Sequence, residues 1–141
     1  MENLINIKII DYGMGNIQSV KNAFELLNGK VEIISDPSNI KNADGIILPG
    51  VGAFSNAIKN LKERKLIEPL KEAVIDQKVP LLGICLGMQL LADNSEEGGD
   101  NEGLSFIAGK ICKIPYMQGY RLPHVGWNDV AVKKKNLYLE I

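Results

Sequence analysis

Glycines flank Cys85 at the spacing G-x-C-x-G, between the apolar run VPLLGI and the helical pattern LGMQLLAD. A cysteine on a tight strand-to-helix turn is the sulfur version of a nucleophile elbow. Gly83 and Gly87 leave room for a strained backbone and for close packing of the helix on the sheet. The sulfur is then thrown outward at the C-terminal edge of the strands, where open α/β folds place ligands, and the adjoining helix N-terminus favours an anion there. Such a corner serves attack by a thiolate on an electrophilic carbon. The plain alternative, a buried cysteine acting as a small hydrophobe, fits poorly between glycines, but it is the preferred reading for Cys112 in the alternating run KICKI. Gln89 lies about one helical turn after Cys85, so its amide is placed to line the same pocket. Pro49 to Gly52, PGVG, follows a strand and precedes a helix, so its N–H groups either face an anion or simply make a turn. His124, the only histidine, is the tempting base for a thiol nucleophile.

The elements that must position these residues alternate. INIKIIDYG, residues 5 to 13, reads as a mostly buried strand; Asn16 then caps a helix whose Ile17, Val20, Phe24 and Leu27 share a face, ended by Asn28-Gly29. VEIIS from Val31 is a second strand, DPSN a loop, and GIILPG a third strand running into PGVG. Ala53 to Gln77 is helical by periodicity, with Pro69 marking a break or the first turn of a second helix. VPLLGI, the corner and LGMQLLAD follow. Apolar strands without polar alternation, separated by helices, predict a parallel sheet covered on both faces. NSEEGGDNEG, residues 94 to 103, reads as an exposed loop; beyond it FIAGKICKIP, GWNDVAV and NLYLEI read as shorter strands of an antiparallel extension. The end, NLYLEI, alternates like an interrupted strand, which gives the chain the look of a fragment.

At 141 residues the chain has the size of one domain with a real core. Sixteen Lys plus Arg against seventeen Asp plus Glu leave a formal charge of -1, which argues against a nucleic-acid or anionic-membrane partner. No apolar stretch approaches the ~18 residues that span a bilayer, and MENLINIK lacks the form of a signal peptide, so a cytoplasmic location is expected. Two cysteines with no CxxC spacing indicate neither a disulfide framework nor a metal site. GMGN begins like a dinucleotide fingerprint, but Gln18 occupies the third glycine position, so no nucleotide cofactor is expected.

GICLGMQ around Cys85 resembles the nucleophile motif of class I, triad-type glutamine amidotransferases. DYGMGN, LPGVGAF and LPHVGWN narrow the likeness to the HisH branch, the glutaminase subunits of imidazole glycerol phosphate synthase in histidine biosynthesis. The resemblance implies an open, doubly wound, mostly parallel α/β sheet of flavodoxin-like type with an incomplete C-terminal antiparallel extension. Residues 1–141 would form a single amidotransferase domain lacking its C-terminal portion. It also implies glutamine hydrolysis at Cys85, an oxyanion hole of Leu86 N–H with Val51 or Gly52 N–H, and glutamine held by Gly50, Gln89 and Glu97, the Glu97 carboxylate meeting the α-ammonium. No cofactor is implied. The ammonia would pass to a cyclase partner of β/α-barrel fold, HisF-like, with Asn16, His124 and Trp127 toward the partner surface. His124 is then not the base: the family's triad histidine belongs to a later HPE-like motif, and no His-x-Glu occurs in this sequence. The chain by itself is therefore expected to turn over weakly at best. Other readings are a non-catalytic binding subunit, a glutaminase serving another ammonia acceptor, and an elbow-cysteine enzyme whose histidine follows the nucleophile; Leu86 in that following position counts against the last.

Overall fold

The computed structural model describes residues 5–27, 29–119, 121–129 and 131. Its centre is a parallel sheet of β1 (Asn6–Ile10), β2 (Lys30–Ile34), β3 (Gly45–Leu48) and β4 (Leu81–Gly83), in the order β2-β1-β3-β4. Each strand is connected to the next through helical chain, the crossover that parallel pairing demands. α1 (Ile17–Glu25) starts at Asn16, whose side chain accepts from the Ser19 N–H at 3.3 Å. It ends before Leu27, which is exposed instead of joining the apolar face with Ile17, Val20 and Phe24. The DPSN segment is more ordered than a loop: Asp36 caps a 3₁₀ turn, Pro37–Ile40, that buries Ile40.

The long helical stretch after Ala53 divides. α2 (Phe54–Glu63) buries Phe54, Ala57, Ile58 and Leu61; the chain bends at Lys65, whose φ is 56°, and α3 (Ile67–Lys71) follows. Pro69 sits in the first turn of α3, where its missing N–H has no helical acceptor to lose. Glu72–Asp76 continue as a wider π-turn, with Gln77 N–H donating to the Glu72 carbonyl. These helices cover the sheet face made of Ile10, Tyr12, Ile34, Ile46 and Leu48, and together they form the main core.

Past Cys85 the structure departs from the expected pattern. The helix predicted over 86–93 is only α4 (Leu86–Gln89). The next donors turn away from the i−4 carbonyls: Leu91 and Ala92 N–H close tighter turns on the Met88 and Gln89 carbonyls and Asp93 N–H donates to the Gly109 carbonyl, while the Leu90, Leu91 and Ala92 carbonyls accept from Leu104, Phe106 and Ser105. Residues 94–103 are not a plain exposed loop. β5 (Asn94–Ser95) and β6 (Asn101–Glu102) pair antiparallel, and Asn101 Nδ2 closes the turn on the Glu97 and Gly99 carbonyls. The strand expected in FIAGKICKIP shrinks to β7 (Lys110–Ile111), which runs parallel to β5, so the extension is mixed. Cys112, expected to be buried, is exposed: the chain leaves β7 at that point and no layer covers it among the described residues. In GWNDVAV no strand forms among the described residues, and NLYLEI lies outside them.

Candidate active site

β4 delivers the chain to Cys85 at the C-terminal edge of the sheet, where the backbone takes φ 54° and ψ -116°. A side-chain-bearing residue seldom adopts a positive φ, and the strain costs about 1–3 kcal/mol. The corner is tied down on both sides: Ile84 N–H donates to the Leu48 carbonyl at 3.0 Å, and the Cys85 carbonyl accepts from Met88 and Gln89 N–H at 3.0 and 3.2 Å. The flanking glycines serve close approach. A Cβ at Gly83 would lie 2.6 Å from Met88 Cα, and one at Gly87 would run into the Leu48 carbonyl. α4 can therefore lie directly against the sheet edge, with the cysteine exposed at its start.

Leu86 is buried and its N–H has no hydrogen-bond partner among the described residues; the same holds for the Val51 and Gly52 N–H groups on the loop after β3. The two stretches are adjacent, since a Cβ at Gly50 would come within 2.9 Å of the Gly87 nitrogen. Unspent backbone donors beside an exposed sulfur are the parts an oxyanion requires.

A cavity of about 490 Å³ lies alongside, lined by Gln89, Glu97, Gly98, Ile111, Cys112 and Lys113 among others. Gln89 and Glu97, eight residues apart in sequence, thus share a wall; Cys85 does not line this cavity but caps the helix that carries Gln89. Glu97 is fixed by contacts the sequence did not announce. Its Oε2 accepts from Phe54 N–H at 3.3 Å, at the start of α2, and its own N–H donates to Oγ of fully buried Ser95 at 3.1 Å. The carboxylate therefore stands against the end of the PGVG loop, complementing the helix N-terminus.

The candidate partner residues lie elsewhere. Asn16 is occupied as the cap of α1. His124 is exposed, its Nε2 2.6 Å from Asn128 Nδ2, and Trp127 and Val125 project fully or almost fully into solvent. The structure does not bring His124 into the group around Cys85. Residues that sequence reasoning missed are Tyr12, Asn60 and Arg64. Asn60 Nδ2 donates to the Tyr12 carbonyl at 3.1 Å and Arg64 Nη1 to the Asp11 carbonyl at 3.3 Å, fixing the chain after β1 beside the PGVG loop. The strand alternation from Ile10 to Tyr12 was the available signal for the tyrosine. For Asn60 and Arg64 there was none beyond their four-residue spacing.

A strained cysteine corner over a parallel sheet, with unpaired backbone N–H groups at its side, defines an α/β protein with an elbow-type turn. The profile of the glutamine amidotransferase class-I family matches residues 8–138, and the chain belongs to that family. Among curated relatives, imidazole glycerol phosphate synthase subunit HisH 1 of Campylobacter jejuni subsp. jejuni (serotype O:23/36, strain 81-176) is 47% identical over 130 residues, 92% of this chain and 65% of its own. Subunit HisH of Moorella thermoacetica is 50% identical over 124 residues, covering 88% and 58%. The chain thus spans less than two thirds of the length of these relatives. In fold it is similar to a crystal structure of a glutamine amidotransferase, with TM-score 0.55 and 18% identity over 63% of this chain and 46% of that one. It is equally similar to a Listeria monocytogenes EGD-e protein described as a peptidase E, with TM-score 0.55 and 17% identity over 67% and 54%. No helix among the described residues is long and apolar enough to cross a membrane.

Proposed function

We propose that this chain carries the nucleophile half of a glutaminase subunit of imidazole glycerol phosphate synthase. The observation that carries the reading is the exposed Cys85 at positive φ with the free Leu86 N–H directly after it and the PGVG loop alongside. Cys85 thiolate attacks the glutamine carboxamide carbon, and the oxyanion is held by Leu86 N–H with Val51 or Gly52 N–H. Collapse of the tetrahedral intermediate, with a proton delivered to the leaving nitrogen by the family's triad histidine in the full-length subunit, expels ammonia and leaves a thioester, which water cleaves to glutamate and the free thiol. Gly50, Gln89 and Glu97 hold the substrate, Glu97 at the α-ammonium; the reaction uses no cofactor. The family's triad His and Glu are not in this sequence, so the chain alone is expected to be inactive or weak, general acid–base catalysis being worth about 10²–10⁴. Ammonia lost to water serves no synthesis, so a docked cyclase of β/α-barrel fold is the natural acceptor, met through the exposed segment with His124 and Trp127 and near Asn16. Such a complex would work in the cytoplasm.

Trapping tests this. The full-length protein with its synthase partner is incubated with 6-diazo-5-oxo-norleucine and the label located by mass. Label on Cys85 rather than Cys112 is expected, with Cys85→Ser losing turnover by on the order of 10⁴-fold or more. An unlabelled Cys85 in a complex that still assembles would instead mark a non-catalytic binding subunit.

A further inference from the structure

Tyr12 has no exposed surface, and among the described residues its hydroxyl is buried without a hydrogen-bond partner. A buried donor left unspent works against folding and asks for a reason. Its surroundings are specific. A Cβ at Gly50 would collide with the hydroxyl, and the same point lies 2.9 Å from the Gly87 nitrogen and 3.0 Å from Leu86 Cβ. The phenol oxygen is therefore wedged where the PGVG loop meets the first turn of α4, the two stretches bearing the free N–H groups of Val51, Gly52 and Leu86. Its ring is fixed in the core, and Asn60 holds its carbonyl.

We propose that Tyr12 is a positioning residue for the amidotransferase chemistry: its hydroxyl spaces the Gly50 loop from the first turn of α4 and leaves its O–H dipole free to turn toward the negative charge that forms beside Cys85. This rests on the glutaminase reading and adds to it a residue outside the motifs that gave it. The phenol suits the task. Burial first, and then the charge of Cys85, push its pKa up to about 12, so it stays a neutral O–H dipole at any working pH. A donor already committed to a carbonyl gains nothing as the reaction proceeds. One left uncommitted adds interaction only once charge appears, which is the condition for lowering a barrier rather than merely binding substrate.

Tyr12→Phe removes the oxygen and keeps the ring, and is compared with wild type in the full-length protein with its synthase partner. Glutamate release is expected to fall on the order of tenfold in kcat, below the 10²–10³ typical of a direct oxyanion donor, with KM within about twofold. The thermal midpoint should be equal or higher, since no hydrogen bond is lost. Unchanged kcat overturns the inference. So does a kcat loss accompanied by a lower midpoint, which would mean that the hydroxyl has a structural partner. Wild-type protein that neither hydrolyses glutamine nor takes label at Cys85 overturns the glutaminase reading itself, and this inference with it.

Discussion

The two faces of the parallel sheet are built from the same kinds of residue and end in different states. On one, Ile10, Tyr12, Ile34, Ile46 and Leu48 vanish beneath α2 and α3. Even Lys8 is buried there, neutralised by Glu32 at 3.4 Å and donating to the Asn39 carbonyl at 2.5 Å. On the other, α1 is the only helix among the described residues, none of its residues is fully buried, and Leu82 is 51% and Ile33 39% exposed. A groove of about 610 Å³ runs there between Phe24, Ile7, Ile47, Pro80 and Leu82. The lesson is where the candidate site was placed. The PGVG loop leads directly into α2, Tyr12 extends the covered face, and Leu86 of the elbow belongs to the same core cluster. The strained corner at Cys85 needs surroundings that resist its relaxation, and only the covered layer supplies them.

Three measurements would break or sharpen this contrast. The largest effect is expected from Leu61→Ala, which empties a fully buried site beneath the covered face; large-to-small core changes of this kind cost about 2–5 kcal/mol, read as a drop in urea midpoint at constant m. Next comes alkaline stability. Folded Tyr12 keeps its proton to about pH 12, whereas an unfolded tyrosine loses it near 10, so unfolding releases a proton above pH 10 and stability falls as pH rises toward 12. Relative to Tyr12→Phe, wild type should lose about 2 kcal/mol by pH 12; parallel curves for the two proteins would mean that the phenol is not buried as described. The smallest effect is expected from Leu82→Ala on the open face, within about 0.5–1 kcal/mol. If Leu82→Ala cost as much as Leu61→Ala, the open face would be covered in solution and the contrast would collapse.

Much of the site was legible because it is local. Gly83, Cys85 and Gly87 fall within one turn, and that spacing alone predicted the corner, the glycine clearances and an outward sulfur. The α/β class followed from apolar strands alternating with helices. Reasoning failed where a distant segment competes for the backbone. LGMQLLAD has helical periodicity throughout, yet the Asp93 N–H that its last turn needs donates to the Gly109 carbonyl, and residues 104–106 pair with the carbonyls of 90–92. The acidic 94–103 stretch hides a hairpin because its order lies in main-chain pairing and in the Asn101 amide, which hydrophobic patterning does not register.

What the sequence determined by itself was a cysteine corner and its aim: residue types at fixed short spacings constrain the backbone through sterics, and sterics act over neighbours. What only the tertiary structure decided was company. That Glu97 reaches the start of α2, that Cys112 is exposed, and that the Tyr12 hydroxyl sits unpartnered among the described residues between the PGVG loop and the first turn of α4 all depend on how segments remote in the chain meet. Such contacts are selected by packing and by hydrogen-bond competition across the whole fold, and no local pattern encodes them.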